Sequence, residues 1–306
     1  NVEYNFLDCF YKYMEYKKNT VKPTTYRTYN VIYNQIINNS QNWKLSEIKA
    51  KHLLSIFNEN ERNLPHKIII LKDFIKWCYK KDFIDDIKED LARRDFSINA
   101  MAYNEADGIV DLYNGQKDIE NKVINFVGNA EERIIEDPLR VLRAFRFMSR
   151  LGFSLSENTI EAIKKQKDLL KSIPEERITM EFSKLLLGEN VKNTLTAMKD
   201  TGVLELIIPE FKATYDFEQH NPHHNLDLFN HIISVVSKVP ADLELRYTAL
   251  LHDIAKPLVQ TFDEKGIAHY KTHEIVGADM ARDILTRLKL PLKLIDTVED
   301  IIKKHM

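Results

Sequence analysis

No glycine occurs before residue 108 in this 306-residue chain. Tight turns and close backbone approaches lean on glycine, so so long a stretch without one disfavours a many-turned β protein and favours helices with short connections. The whole chain carries only 8 Gly and 9 Pro, while 44% of it is hydrophobic, enough for sizeable cores and too much for a disordered chain. Apolar spacing agrees. Phe6, Phe10 and Tyr13 recur at helical intervals. Pro23 stands where a helix can start, and Tyr26, Tyr29, Tyr33, Ile36 and Ile37 follow in a three-four rhythm. "WKLSEIKAKHLLSIF", with Ser46 as N-cap, predicts a third helix, and Ile68, Leu71, Ile75 and Cys78 mark a fourth.

The net charge of -2 hides an asymmetry. Residues 1–81 hold 14 Lys+Arg against 7 Asp+Glu, a net +7, which leaves −9 for the remainder. Both cysteines, both tryptophans and eight of the thirteen tyrosines also fall in that first segment, so a domain boundary is expected near Lys80–Phe83. Two cysteines, Cys9 and Cys78, make no disulfide framework. With no apolar run of bilayer length and no signal-peptide pattern, a cytoplasmic chain without a membrane partner is expected.

The first segment resembles the core-binding, SAM-like domain of tyrosine recombinases (phage integrases), on the order of "VKPTTYRTYNVIYNQI", "WKLSEIKAKHLLSIF" and "IIILKDFIKWCYKKDFI". The resemblance implies a helical bundle over residues 1–82 that holds DNA by its phosphate backbone, and a +7 charge is compatible with that. A generic bundle with a solvated basic face fits the same residues. No sign of the recombinase catalytic domain follows.

Beyond the boundary the texture changes. "GIVDLY" and "KVINFVG" read as two strands, with Gly108 and Asn114–Gly115 supplying turns. From Glu136 onward the pattern is helical, with helices expected over Pro138–Leu151, Ser156–Lys171, Pro174–Leu187 and Val191–Thr201. In "EDPLRVLRAFRFMSR", Asp137 and Pro138 suit an N-cap and first helical position, and Arg140, Arg143, Arg146 and Arg150 fall on one arc beside an apolar face. Four arginines and no lysine favour anion contact over a merely solvated face. Asp137 and Arg140, three apart, can lie side by side, where a carboxylate and a guanidinium would accept C and A and reject U and G. A cap with an i,i+3 ion pair explains the same spacing. Upstream, "EDLARRDFSINAMAY" sets Arg93, Arg94 and Asp95 together, a combination suited to a phosphate and a sugar hydroxyl.

Residues from about 83 to 306 resemble a bacterial class II tRNA nucleotidyltransferase, the CCA-adding enzyme and poly(A) polymerase family. "RRDFSINAMAY" is similar to its motif B, "DLYNGQKDIENKVINFVG" to its motif C region, "EDPLRVLRAFRF" to motif D and "EERITMEFSKLLL" to motif E, with "TGVLELIIPE" following in family order. The resemblance implies that Arg94 and Asp95 contact the nucleotide's phosphate or ribose, and that Asp137 and Arg140, with Arg143 beside them, select CTP and ATP. Asn125 stands where many relatives carry arginine. In the family, Mg²⁺ is held upstream by a Gly-Gly hairpin and an Asp-x-Asp strand pair that activate a 3′ hydroxyl. Those carboxylates have no match here, so no catalytic residue is assigned and nucleotidyl transfer by this chain alone is expected to be absent or very weak.

The C-terminal third is rich in histidine. His220, His223 and His224 read as a polar loop; His231, the adjacent His252–Asp253 and His273 occur in the order of the HD phosphohydrolase superfamily, with His305 a further candidate. The resemblance implies that His231, His252, Asp253 and His273 ligate a metal; imidazole with carboxylate suits Mn, Ni, Fe or Zn, whose bound water could attack a phosphoester. Ala255 replaces the glycine usual in "HDIGKP", and the HD domain is expected to be C-terminally truncated, short of its final ligand aspartate. Helix capping by these side chains is the bland alternative.

The expected architecture is mainly α and multi-domain: a bundle over 1–82, a remnant α+β nucleotidyltransferase head over 83–150, an all-α neck and RNA-binding region over 151–215 and the HD domain over 216–306. The expected partners are tRNA or other RNA and CTP or ATP, with DNA for residues 1–82. Two rival readings are an HD-type metal-dependent phosphohydrolase and a non-catalytic nucleic-acid-binding remnant of a mobile element.

Overall fold

Aromatic spacing shapes the first of two units, residues 1–92, into which a computed structural model of the chain divides; the second is residues 93–306. The structure describes residues 4–45, 56, 64–80, 86–104, 108–219 and 227–305. In the first unit, helices α1 (Phe6–Thr20), α2 (Pro23–Asn39) and α3 (Leu64–Lys80) bury Phe6, Phe10, Tyr13, Tyr33, Phe74 and Trp77 in one cluster. Phe10 and Phe74 meet edge-on at 4.9 Å and Phe6 and Phe74 at 5.3 Å, geometries that favour the ring quadrupoles. At one polar edge of this cluster the Tyr13 hydroxyl donates to Asp73 at 2.5 Å, and Lys17 pairs with the same carboxylate at 2.5 Å. Pro23 does open α2. The helix expected from Ser46 lies largely outside the described residues. Cys9 and Cys78 are free and buried, and burial pushes both thiols up.

α4 (Asp86–Arg93) is followed by a short α+β segment of the second unit. Strands β1 (Met101–Asn104) and β2 (Gly108–Asp111) pair antiparallel, with Tyr103 opposite Ile109. α5 (Gly115–Asn121) follows, then β3 (Val123–Ile124), which pairs parallel with β4 (Ser154–Leu155). The Asp111 carboxylate accepts from the amides of Tyr113, Gly115 and Gln116 at 3.2, 2.8 and 2.9 Å and so ties β2 to the start of α5. α6 (Ala130–Glu136) is capped by Asn129, whose side chain accepts from Glu131 N and Glu132 N.

α7 (Arg140–Leu151) buries Val141, Leu142, Ala144, Phe145 and Met148. It begins two residues later than expected, because the Asp137 side chain accepts from Leu139 N at 3.2 Å and closes a turn across Pro138. It ends at Gly152, whose φ of 69 lets its amide reach back to Met148 O at 3.1 Å. The helix expected over Ser156–Lys171 is split into α8 (Glu157–Gln166) and a 3-10 turn (Lys167–Ser172). α9 (Glu175–Leu186), α10 (Val191–Thr201) and α11 (Leu204–Ile207) follow, then the helices around the histidines: α12 (Leu228–Lys238), α13 (Leu243–Leu251), α14 (Lys256–Val259), α15 (His273–Arg287) and α16 (Leu292–Lys304). A small hairpin of β5 (Thr261–Phe262) and β6 (Ala268–His269) precedes α15. One continuous apolar core runs from Phe96 through Phe145, Phe182 and Tyr247 to Ile302. The fold is mainly α and multi-domain.

Two glycines separate close approach from idle space. A Cβ on Gly115 would lie 2.3 Å from Ser97 O, whereas one on Gly277, within α15, would meet nothing nearer than His252 O at 3.5 Å. In urea unfolding, Gly115→Ala is expected to cost about 1–3 kcal/mol, and Gly277→Ala to be neutral or to stabilise by roughly 0.5–1 kcal/mol.

Candidate functional site

Two clusters of charged side chains stand out in the second unit. The first joins the segment after α4 to α6 and α7. Ladder-like bonds bring Asp95 there: Val127 N donates to Asp95 O and Ser97 N to Asn125 O, each at 3.0 Å, and Phe96 bridges to Phe126. Asp118 of α5 reinforces the junction, accepting from the Ser97 hydroxyl and, at 3.0 Å, from the Asn125 amide. Asn125 thus donates to a carboxylate without bringing a charge of its own, where an arginine would form an ion pair.

Asp95 is buried, 6% exposed, and Arg140 is 7% exposed. Arg140 Nε donates to Asp95 Oδ1 at 2.9 Å, and Arg143 Nη2 lies 2.5 Å from Asp95 Oδ2. Arg140 Nη1 also donates to Arg133 O at 2.7 Å and to Glu136 Oε2 at 2.6 Å. Burial opposes the Arg140 charge, but the bonds to Glu136 and Asp95 outweigh it and raise the guanidinium pKa. Arg133 in turn donates to the carbonyls of Arg93 and Arg94, both at 2.9 Å. Taking Arg140 away would leave a buried carboxylate short of a partner, a loss on the order of 3–5 kcal/mol.

The side-by-side pairing of Asp137 with Arg140 is not what the structure places here. Asp137 caps Leu139 and lies 3.9 Å from Arg177 of α9, while Arg140 points to Asp95 and Glu136. The reason is local: the turn across Pro138 takes up the Asp137 carboxylate, and Glu136, four residues before Arg140, is the better-placed partner. The arginine stripe of α7 divides: Arg140 and Arg143 go to Asp95, Arg146 to the buried Glu181 at 3.0 Å, and Arg150 is exposed. Arg94 is exposed beside this cluster. The sequence reading missed Arg133, Glu136, Asp118 and Glu181. Only Glu136, at helical spacing from Arg140, left a signal.

The second cluster surrounds Asp253, which follows α13 and is 3% exposed. His231 of α12 and the adjacent His252 place Nε2 at 3.3 and 3.1 Å from Asp253 Oδ2. His273, first residue of α15, and His305, just past α16, place Nε2 at 3.5 and 3.7 Å from Oδ1. Three of the rings are oriented from behind. The Nδ1 atoms of His252, His273 and His305 donate to the carbonyls of Ala249, Tyr270 and Ile302 at 2.8, 2.7 and 2.6 Å. A carbonyl only accepts, so Nδ1 carries the proton and each Nε2 is left with a lone pair facing the centre. Burial would raise the Asp253 carboxyl, but His231, His252 and His305, which can pair with it when they are protonated, hold it well below the usual carboxylate range. Lys256, which the sequence reading missed, lies 2.9 Å from Asp253 Oδ2 and is steadied by Gln219 at 3.2 Å. His220, His223 and His224 lie outside the described residues.

Donor sets decide where a metal fits. Among the described residues, two groups of His, Cys, Asp and Glu bring ligand atoms within 4.8 Å of one another: His231, His252 and Asp253, and Asp253, His273 and His305. Converging lone pairs around one buried carboxylate, with His305 Nε2 buried beyond hydrogen-bond reach, match a divalent transition ion. The first cluster does not fit a Mg²⁺ pair: Asp95 is clasped by two arginines, Asp118 by Ser97 and Asn125, and Asp111 by three amides.

The chain matches three family models: "Poly A polymerase head domain" over residues 14–125, "Probable RNA and SrmB- binding site of polymerase A" over 152–214, and "HD domain" over 228–306. It is 34% identical to the A-adding tRNA nucleotidyltransferase of Deinococcus radiodurans over 232 residues, covering 72% of this chain and 53% of that protein. It is 50% identical to the CCA-adding enzyme of Bacillus subtilis over 123 residues, covering 40% of this chain and 31% of that protein. These matches support the class II tRNA nucleotidyltransferase family, with an HD domain. Among solved structures, the CCA-adding enzyme of Bacillus stearothermophilus in complex with CTP is 30% identical, with a TM-score of 0.45, over 71% of this chain and 46% of that one. The chain spans about half or less of the length of these tRNA nucleotidyltransferases. The head match overlaps residues 14–81, the stretch read from sequence as a recombinase-like bundle, where the described residues of elements are helical. No described helix is long and apolar enough to cross a membrane.

The Asp253 centre makes a thermodynamic prediction. The nearby Asp253 carboxylate holds the His305 imidazole above its ordinary 6.5, so in the metal-free protein its contribution is fully present below that value and is lost as pH rises through the raised one. Metal instead needs neutral Nε2 atoms, so its stabilising effect grows with pH. At pH 8, Mn²⁺ or Zn²⁺ at 100 times its Kd is expected to stabilise the protein by about 2.7 kcal/mol, read as a rise in Tm. That rise should shrink at pH 5.5 and vanish in Asp253→Asn.

Proposed function

We propose that the chain works on the 3′ ends of tRNA as a nucleotide- and RNA-binding member of its family. In this reading CTP and ATP are taken by the cluster of Arg94, Asp95, Asp137, Arg140 and Arg143, and tRNA by the helices of residues 152–214. The observation that carries it is the Arg140–Asp95–Arg143 clasp, in which one buried carboxylate ties the segment carrying Arg94 to the arginines of α7. Nucleotidyl transfer is a different matter. It depends on metal positioning and charge neutralisation, and the carboxylates around this seat are already engaged. We therefore expect CTP binding without turnover. Calorimetry should detect CTP, and Arg143→Ala should weaken it about tenfold or more. Labelled CTP or ATP with Mg²⁺ and tRNA lacking its CCA end should give no incorporation, and robust addition would overturn this part of the reading.

A second reading concerns the centre at Asp253, favoured by four imidazoles converging on it. His231, His252, Asp253, His273 and His305 would hold a Mn, Ni, Fe or Zn ion, which supplies an activated water for attack on a phosphoester. Asp253 supplies the negative charge, the backbone-bonded rings hold their tautomers, and Lys256 sets a cation beside the carboxylate that could pair with a phosphate oxygen. The substrate class is 2′,3′-cyclic phosphates or phosphomonoesters. Hydrolysis of a 2′,3′-cyclic nucleotide is expected with Mn²⁺ or Ni²⁺ and should fall to background in His252→Ala and Asp253→Ala. Equal activity in those variants would remove the centre from the chemistry.

For residues 1–81 the reading is phosphate-backbone binding, on their charge of +7 alone.

A further inference from the structure

Between the 3-10 turn at Lys167–Ser172, the start of α9, α11 and the end of α15 lies a cleft of about 220 Å³. Its walls are mixed: Leu170, Ile173, Ile178, Leu206, Ile207 and Leu288 line it together with the carboxylate of Glu175. Cations stand among them. Arg287 also lines the cleft, and its guanidinium is locked in plane by Glu210 through two bonds of 2.8 Å. Lys171 lines it too, held only by an exposed pair with Asp168 at 2.6 Å, a contact worth little against a competing anion. The floor is satisfied without a ligand, since Thr179 Oγ1 donates to Leu288 O at 2.6 Å, so what the cleft offers is flat apolar surface with charge beside it.

We infer that this cleft receives one unstacked nucleobase of a bound RNA, with the adjoining phosphate on Lys171 and Arg287. Size favours it: the volume falls below the roughly 300–1,000 Å³ of pockets that engulf a whole drug-sized ligand and suits a single ring system. Chemistry favours it as well, because RNA is bound through splayed bases set on apolar or guanidinium surfaces, with cations on the backbone. Location adds a third argument. Seven of the nine lining residues, Leu170 through Ile207, fall within residues 152–214, which match a probable RNA-binding site, and the other two belong to the HD region. A base seated here would therefore tie the RNA-binding helices to α15. The inference rests on the tRNA reading above and adds to it a site.

The test uses the full chain and tRNA transcripts lacking CCA, with 4-thiouridine in place of uridine for cross-linking. Wild-type protein is expected to bind tRNA in a salt-dependent way. Ile178→Trp and Leu206→Trp, which fill the cleft, should each lose about tenfold or more in affinity at unchanged Tm. Cross-linked peptides from wild type should include Leu206–Ile207 or Leu170–Ile178. If wild type binds tRNA but both folded variants bind equally well and the cross-links lie elsewhere, the cleft takes no base; a cleft that serves a protein partner would give that same result. If wild type does not bind tRNA, the functional reading itself falls.

Discussion

Where the charge of Arg140 goes decides what the junction of the Asp95 segment with α6 and α7 can do. This guanidinium is almost wholly buried and is met by Asp95 and, from α6, by Glu136 and the Arg133 carbonyl, so two other chain segments converge on one cation. A buried charge requires such company, and here the company consumes the carboxylate that follows the paired arginines. The seat is consequently rigid and cationic, suited to an anion. The same bonding leaves Asp95 with no oxygen to spare for a divalent ion. On the reading proposed above, nucleotide binding and metal chemistry come apart on this electrostatic ground.

At Asp253 the opposite arrangement holds. A carboxylate is surrounded by imidazoles, and three of them, His252, His273 and His305, turn their Nδ1 protons outward to backbone carbonyls. Their lone pairs all face inward, an arrangement that a divalent cation relieves. Helices α12, α13, α15 and α16 each deliver one part of the set, and their apolar faces are part of the same continuous core as α7. The metal-suited centre and the anion seat thus share a scaffold without sharing a ligand.

Much of this was legible in the sequence, and for physical reasons. Scarce glycine and three-four apolar spacing foretold helices, and helices they are, because periodicity reports directly which face is buried. His231, His252, Asp253 and His273 were named from their order, and the structure brings them together with His305. What escaped the sequence was every partnership set by long-range folding. Asp95 and Arg140 are 45 residues apart, Arg146 and Glu181 are 35 apart, and no local pattern announces either pair. The Asp137–Arg140 pairing failed for a converse reason: correct spacing was offered, but a proline turn gave the aspartate a nearer amide. Lys256 was overlooked because a lysine three residues past an aspartate is commonplace until burial makes it costly.

The sharpest single measurement is an anomalous difference map from crystals grown with CTP and Mn²⁺. The account predicts one or two Mn²⁺ peaks within the imidazole ring around Asp253, and CTP held by Arg140 and Arg143 with no manganese between it and the side chains of this polypeptide. Two Mn²⁺ ions bridging the triphosphate to carboxylates of this chain would contradict it.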